Sequence, residues 1–310
     1  MKRPLLVLLL IAPIYVLADC RDLAPDRGVP VASEGEWMLA TLNLWRLRNA
    51  VKDTDLDSPL PPKRVEQRLD AIARFITTHL QAPHALVLQE VENRALLDSL
   101  AERLAASGYR YRSVLIEGND PSGMDVGLLY RAPVVLDNPR ALFAAEPFQG
   151  HPLYSRPPLR VSLQAPMKAD LVIVHLRSAR DLASSRVFEK RRRQAARLAQ
   201  WVGNQTGPVI VAGDFNSTWG AGRFSDSYRQ FALAGLFNVW QALEPSERYS
   251  YRYRCRPQAL DHVWLSPTLK HRLKAVAVSR GNAGRYKSLY GTDGVSPVSD
   301  HDALVVYFER

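Results

Sequence analysis

The sequence predicts an α/β fold. Two observations carry that prediction. Short runs rich in Val, Ile and Leu alternate with segments whose apolar residues recur at helical spacing, and the strand-like runs end in polar residues that make poor core. The clearest run is Val209-Ile210-Val211-Ala212-Gly213-Asp214-Phe215-Asn216, introduced by Gly207-Pro208. Its β-branched residues suit a strand buried on both faces, and Gly213 ends it. Residues i and i+2 of an extended chain point to one side, so Asp214 and Asn216 are delivered together. A carboxylate and a carboxamide so placed suit a hard cation and a phosphate oxygen. An Asx turn closing the strand would use the same two residues.

Taken in order, residues 19–35 read as an irregular lead-in, and Glu36 to Asn43 as a first strand ending in an amide. The charged, proline-rich stretch from Arg46 to Pro62 is expected to be a surface loop. Arg64 to Leu80 has helical spacing through Val65, Leu69, Ile72, Ala73 and Ile76. Ala85 to Gln89 is a buried strand with Glu90 at its end, and Asn93 to Ser107 a second amphipathic helix stopped by Gly108. Tyr109 to Glu117 and Asp125 to Tyr130 are neighbouring strands joined by the turn-rich Gly118 to Gly123. Leu159 to Gln164 and Asp170 to Leu176 read as a hairpin with His175 near its end. Ser185 to Asn204 is helical, and Arg191, Arg192 and Arg193 are expected to form a solvated basic face. A mixed region runs to Pro245, followed by the aromatic-basic loop Tyr249-Ser250-Tyr251-Arg252-Tyr253-Arg254. Ala259 to Leu265, carrying Asp261, and Arg272 to Arg280 are strands. Gly281 to Pro297 is a loop, and Ser299-Asp300-His301 leads into the last strand, Ala303 to Phe308.

A chain of 310 residues, 46% hydrophobic and 23% charged, has ordinary globular composition, and no compositional break marks a second domain after the lead-in. The formal charge of +10 and pI near 9.7 favour a polyanionic partner, nucleic acid or an anionic membrane surface, without choosing between them. No obligate protein partner is inferred. At the N-terminus Lys2 and Arg3 precede an apolar run from Leu5 to Leu17, too short for a membrane span, and Val16-Leu17-Ala18 suits a signal peptidase. Residues 1–18 are therefore expected to be a signal peptide, and the mature protein, starting at Asp19, to be secreted or periplasmic. Leu17-Ala18-Asp19-Cys20 approaches a lipoprotein box, with Asp19 where a small residue belongs; a membrane enters only if Cys20 is lipidated. Cys20 and Cys255 are expected to pair in an oxidising compartment.

The polar residues that interrupt or cap the strands are Asn43, Glu90, Asp125, His175, Asp214, Asn216, Asp261, Asp300 and His301. They span the whole chain, so only a common edge of the sheet architecture can unite them. Oxygen ligands of this kind select Mg²⁺, Mn²⁺ or Ca²⁺ over Zn²⁺. Two histidines beside such an ion can divide water activation from charge stabilisation. The reaction class that follows is metal-assisted hydrolysis of a phosphate ester.

Thr41-Leu42-Asn43, Leu88-Gln89-Glu90-Val91, Asp125-Val126-Gly127-Leu128-Leu129-Tyr130, Val174-His175-Leu176, Gly213-Asp214-Phe215-Asn216, Leu260-Asp261-His262 and Ser299-Asp300-His301 occur in that order. The series resembles the endonuclease/exonuclease/phosphatase superfamily over residues 36–310. The resemblance implies a four-layer α/β sandwich, two mixed β-sheets packed face to face with helices outside. It implies Asn43, Glu90 and Asp300 as ligands of the main divalent metal, Mg²⁺ with Mn²⁺ or Ca²⁺ as alternatives. Asp214 and Asn216 would orient water and phosphate, or a second metal; His301 would be the general base, steadied by Asp261; His175 would face the phosphate oxygens, with Asp125 orienting it. His262 should point to the opposite face from Asp261, and His79, His84, His151 and His271 fall outside the motifs, as surface or loop residues. In the pancreatic-type deoxyribonucleases an arginine stands two residues beyond the metal glutamate; here Glu92 does, where an anion would repel a backbone phosphate, and the segment looks more like secreted bacterial nucleases.

Three functions compete: a secreted nuclease, a phospholipid phosphodiesterase or small-phosphate phosphatase of the same fold, and a binding module with a decayed site. The complete constellation opposes decay. A lipid enzyme should show an exposed apolar wedge, for which Ala141-Leu142-Phe143 with Pro147-Phe148 is the available candidate. Nucleic acid is the expected substrate. Arg46, Arg48, Arg252, Arg254, Arg256, Arg285 and Lys287 would track phosphates, and Tyr251 and its neighbouring tyrosines would stack on bases. Alternation in a strand would put the tyrosines and arginines of 249–254 on opposite faces.

Overall fold

The computed structural model describes Cys20 and residues 23–219, 226–285, 290–291, 293 and 295–310. The expected signal segment and Lys287 lie outside these residues. The first half contains β1 (Glu36–Leu47), α1 (Pro62–Thr78), β2 (Ala85–Val91), α2 (Arg94–Ala106), β3 (Arg112–Leu115), β4 (Asp125–Tyr130), β5 (Val135–Ala141), β6 (Pro147–Phe148) and β7 (His151–Pro152). Then come β8 (Leu159–Ala165), β9 (Ala169–His175), α3 (Ser185–Gly203), β10 (Val209–Asp214), α4 (Asp226–Leu233) and β11 (Phe237–Asn238). The chain closes with β12 (Tyr251–Tyr253), β13 (Arg256–Gln258), β14 (Asp261–Leu265), α5 (Pro267–Lys270), β15 (Leu273–Val278) and β16 (Leu304–Glu309).

Two six-stranded sheets result, ordered β15-β16-β1-β2-β4-β3 and β11-β14-β10-β9-β8-β5. Both are mixed: β1 with β2 and β9 with β10 are parallel, and the remaining neighbours antiparallel. The central strands are apolar at almost every position because both of their faces are covered. In β1, Trp37 and Leu39 enter the core between the sheets, while Met38, Ala40 and Leu42 pack under α1 and α2. In β10, Ile210 and Ala212 face the other sheet, while Val209 and Val211 meet Ala195, Leu198 and Phe231 of α3 and α4. Helix, sheet, sheet, helix is the four-layer sandwich expected. Among the described residues no helix is long and apolar enough to cross a membrane.

Several local readings change. The region from Val135 to Ala141 is a strand, β5, that periodicity does not reveal: it is an edge strand, largely exposed, with Pro139 and two register shifts against β8. The stretch after Ser250 is a β-hairpin, β12–β13, turning at Arg254 and Cys255, both at positive φ. Leu142 and Phe148, offered as an apolar wedge, are buried against Tyr154, Leu198 and their neighbours, while Phe143 stacks on Tyr154. His84 sits in a loop but is buried, its Nδ1 accepting the Met38 N–H at 3.0 Å. The expected Cys20–Cys255 disulfide is present and ties the lead-in to the tip of the hairpin.

Candidate active site

The site forms where strand ends of both sheets meet, and the backbone breaks its regular path there. The β1–β2 register shifts after Asn43, and the β2–β4 register shifts around Glu90. Trp45, Arg46, Glu90 and Asn216 all have positive φ. Such conformations cost about 1–3 kcal/mol each for non-glycine residues and persist where packing imposes them; bulges re-aim side chains at strand ends. Glycine at 213 is obligatory: with φ at 140°, a Cβ there would lie 2.0 Å from Val174 O of the parallel neighbour β9. That close approach of β9 and β10 sets His175 beside Asp214, its cross-strand partner.

Asn43 bridges the sheets. Its Nδ2 lies 3.2 Å from Glu90 Oε1 and 3.2 Å from Asp214 Oδ2, while its Oδ1 accepts the Trp45 N–H at 2.9 Å. The amide nitrogen therefore faces the acids. Asp214 Oδ1 accepts the Asn216 N–H at 2.7 Å, so the Asx turn exists, and it leaves Oδ2 facing the site. His175 Nε2 is 3.5 Å from that oxygen and 4.0 Å from Glu90 Oε1. Across the same seam, His301 Nδ1 meets Asp261 Oδ2 at 2.6 Å, and His301 Nε2 is 3.9 Å from Asp300 Oδ1. Ser299 Oγ holds this turn by donating to Asn43 O at 2.5 Å and accepting the His301 N–H at 2.8 Å. His262 points away, fully buried between Asn238 and Ser217 O.

Burial, then the charge of Asp261, pushes the Asp214 carboxyl up to about 7, against the opposing pull of His301, the Asn216 N–H and Asn43. Burial likewise pushes Asp300 up to about 6, with Glu90 and Asp261 adding to the rise and His301 opposing it. Burial also tends to lower His301, but the Asp261 charge and hydrogen bond, with Asp300 and Asp214, hold it well above the usual imidazole value. His175 is driven well below that value by burial, then by Arg156 and His301. The two imidazoles are thus biased in opposite senses, His301 toward its cationic form and His175 toward its neutral one, both facing carboxylates.

Not every expected residue arrives. Asp125 does not orient His175: it lies against Glu117 and the Gly118 backbone, and His175 Nδ1 has no hydrogen-bond partner among the described residues. Tyr251 reaches the site, its ring centroid 4.9 Å from that of His301. Strand alternation turns Arg252 the other way, over the Tyr249 ring and toward Cys255 O, and Arg254 lies over Tyr253. Arg48 is buried in an ion pair with Asp57 at 2.5 Å. Glu92 is also buried and accepts the Asn49 N–H at 2.5 Å, so its carboxylate braces the 49–57 loop instead of meeting a phosphate.

Arg191 departs most from expectation. It is buried, not solvated, and donates to Arg177 O, to Asn216 O at 2.7 Å and to Ser217 Oγ at 2.8 Å. Gln194, one turn on, accepts the Arg177 N–H at 2.9 Å. Helix α3 thereby clamps together the loops that follow His175 and Asp214. Only the spacing of Arg191 with Ala195, Leu198 and Val202, which places it on the buried face, could have signalled this.

The profile of the Endonuclease/Exonuclease/phosphatase family matches residues 40–301. The chain belongs to this family. Solved structures in the family share the fold at low identity. The D. rerio TDP2 humanized by 14 mutations is 18% identical with a TM-score of 0.62, covering 89% of this chain and 100% of that one. An AP endonuclease from Archaeoglobus fulgidus is 15% identical with a TM-score of 0.62, covering 88% and 100%. An endonuclease/exonuclease/phosphatase from Beutenbergia cavernae is 19% identical with a TM-score of 0.60, covering 89% and 72%. No curated protein matches the chain. Family membership supports hydrolysis of phosphate esters as the reaction class.

Members of the Endonuclease/Exonuclease/phosphatase family generally depend on a divalent metal, and the donor set here fits one. Ligand atoms of Asp214, Asp261 and His301 lie within 4.8 Å of one another. Glu90 and Asp300 add carboxylates, and buried Asp261 Oδ1 has no hydrogen-bond partner among the described residues. His301 Nδ1 is committed to Asp261, so carboxylate oxygens are the available ligands. Clustered anionic oxygens beside a single cationic imidazole leave negative charge that a hard dication would balance.

Proposed function

We propose that the protein is an exported, divalent-metal-dependent nuclease that hydrolyses phosphodiester bonds of nucleic acid. The observation that carries this reading is the His301–Asp261 pair facing Glu90, Asp214 and Asp300 across the seam between the sheets. Glu90 and Asp300 would hold Mg²⁺, Mn²⁺ or Ca²⁺, with the Asn43 amide nitrogen bracing Glu90 and Asp214 beside them. The ion, when bound, supplies positive charge to the phosphate oxygens and offsets the carboxylates that keep His301 protonated. With Nδ1–H fixed on Asp261, His301 offers Nε2 to take a proton from the attacking water, and Asp261 stabilises the imidazolium formed. Asp214 and Asn216 orient that water and the scissile phosphate. Neutral His175 faces the phosphate oxygens as the other side of the cleft. Tyr251, packed beside His301, offers an aromatic face to a base.

Export is supported by the leader-like N-terminus and by the Cys20–Cys255 bond, which suits an oxidising compartment and occupies the sulfur that a lipid anchor would need. The basic composition supports a polyanionic substrate. The deciding experiment offers purified protein plasmid DNA, RNA, sphingomyelin and inositol phosphates in parallel, with Mg²⁺, Mn²⁺ or Ca²⁺ and with EDTA. Cleavage of nucleic acid that EDTA abolishes is expected. Hydrolysis of sphingomyelin with DNA and RNA intact would transfer the assignment to the lipid enzymes of the family.

A further inference from the structure

Beside the site lies a group of cations that the chemistry above does not use. Arg156 donates from Nε to His175 O at 3.3 Å, and its other arm is paired with Asp120. Arg177 stands two residues beyond His175. Arg186, Lys190 and Gln194 follow one another at i, i+4 spacing on one face of α3, and Gln194 Oε1 accepts the Arg177 N–H at 2.9 Å, which sets that face beside Arg177. The helix adds charge of the same sign: its N-cap, Ser184, makes no side-chain capping bond, and its first turn holds no acid. Half-buried Lys190 is pushed below the usual lysine value by burial, then by Arg177, Arg186 and Arg156, with Asp120 alone opposing. Asp120 is already engaged by Arg156, and Glu189 by Arg192. Among the described residues Arg177, Arg186 and Lys190 have no ion-pair partner. Gathering like charges on a half-buried surface opposes folding, and an anion from outside would relieve it.

We propose that Arg177, Arg186 and Lys190 form a subsite for a second phosphate of a polynucleotide, adjoining the scissile phosphate on the His175 side. This rests on the nucleic-acid reading above and sharpens it: a chain with a flanking phosphate is preferred over an isolated diester.

The test is the double variant Arg186→Gln/Lys190→Gln, which leaves the Arg191 clamp in place. Its kcat/KM on a ten-nucleotide oligothymidylate relative to that on bis(p-nitrophenyl) phosphate should fall about tenfold from the parent ratio. In a His301→Ala background, affinity for the fluorescein-labelled oligonucleotide is measured across a salt series. Removing this one phosphate contact should flatten the log–log slope by up to about 0.7, the value per neutralised phosphate for single strands. An unchanged ratio with an unchanged slope would overturn the subsite. Failure of the phosphodiesterase reading looks different: the parent would turn over neither substrate with any divalent ion, and the slope would still decide the subsite. If the double variant loses binding to phosphatidylglycerol vesicles but keeps its affinity for the oligonucleotide, the cations serve a membrane surface and the proposal is wrong.

Discussion

His301 Nδ1 and Asp261 Oδ2 approach to 2.6 Å although His301 lies in the turn that leads into β16 of one sheet and Asp261 on β14 of the other, and the Asp261 carboxylate is fully buried. A buried carboxylate so placed fixes the imidazole tautomer and opposes its loss of orientation. Asp261→Asn keeps the shape but removes the charge that stabilises the imidazolium. Metal-dependent cleavage should fall by about 10²–10⁴-fold, and His301→Ala by a similar factor, the usual range for an acid–base group. Circular dichroism should be unchanged in both. Near-parental turnover in His301→Ala would move the role of base to Asp214.

Metal binding can be read without turnover. A ligand at a hundred times its Kd stabilises the native state by about 2.7 kcal/mol. Saturating Mn²⁺ or Mg²⁺ should therefore raise Tm by several degrees, and EDTA should reverse it. Asp300→Ala and Glu90→Ala should lose most of the rise. An equal rise in both variants would place the ion elsewhere.

Gly213 is set by contact, not by flexibility. Its φ of 140°, and the 2.0 Å that would separate an added Cβ from Val174 O, leave no room for a side chain. Gly213→Ala should destabilise by about 3 kcal/mol or more, combining strain and overpacking, and activity should suffer because β9 and β10 are forced apart. Urea unfolding measures the first effect directly.

Asp125 carries a pH signature. Burial, then the neighbouring Glu117, raises its carboxyl from 3.8 to about 8. A raised carboxyl favours folding fully only below the unfolded value, near 3.8, and that contribution is lost as pH rises through about 8. Asp125→Asn should gain Tm over the parent progressively from pH 5 to pH 8, by a few degrees on the order expected for a domain of this size, and level off above. A difference independent of pH would mean that Asp125 is ionised throughout.

The disulfide closes a separation of 235 residues, and the chain-entropy model gives a loop of this length about 5.5 kcal/mol. Cys20→Ser should lower stability by up to that amount, and secreted parent protein should show no free thiol under denaturing, non-reducing conditions.

The strand ends that carry Asn43, Glu90, His175 and Asp214 were legible because an apolar run that stops on a polar residue is conspicuous in one dimension, and Asp261 and Asp300 because each stands at or just ahead of the start of such a run. The face of Tyr251 relative to Arg252 followed from alternation, which left open which set would meet the site; only the seating of the hairpin over His301 decides it. Arg191 escapes a linear reading because three consecutive arginines look solvated, whereas helical geometry sends neighbours to different sides: Arg192 pairs with exposed Glu189, and Arg191 is drawn inward by orphan carbonyls. Asp125 and Glu92 share a different cause. Both are acids whose partners, Glu117 and the Asn49 N–H, come from loops whose path no periodicity encodes. The β5 strand was invisible because an exposed edge needs no apolar pattern.

Asn43 to Asp214 is a contact made from one sheet to the other, and His301, in the turn ahead of β16, reaches across the same seam to Asp261. Stacked sheets sit about 10 Å apart, a thickness fixed by the side chains between them, and such interiors are close-packed and scarcely compressible. Trp37, Leu39, Leu304, Val263 and Trp240, none of which is an acid or a base, therefore act as spacers that gauge the gap between the two halves of the reacting machinery. A methylene added or removed there would re-tune the alignment of water and phosphate while leaving every polar residue in the sequence unaltered.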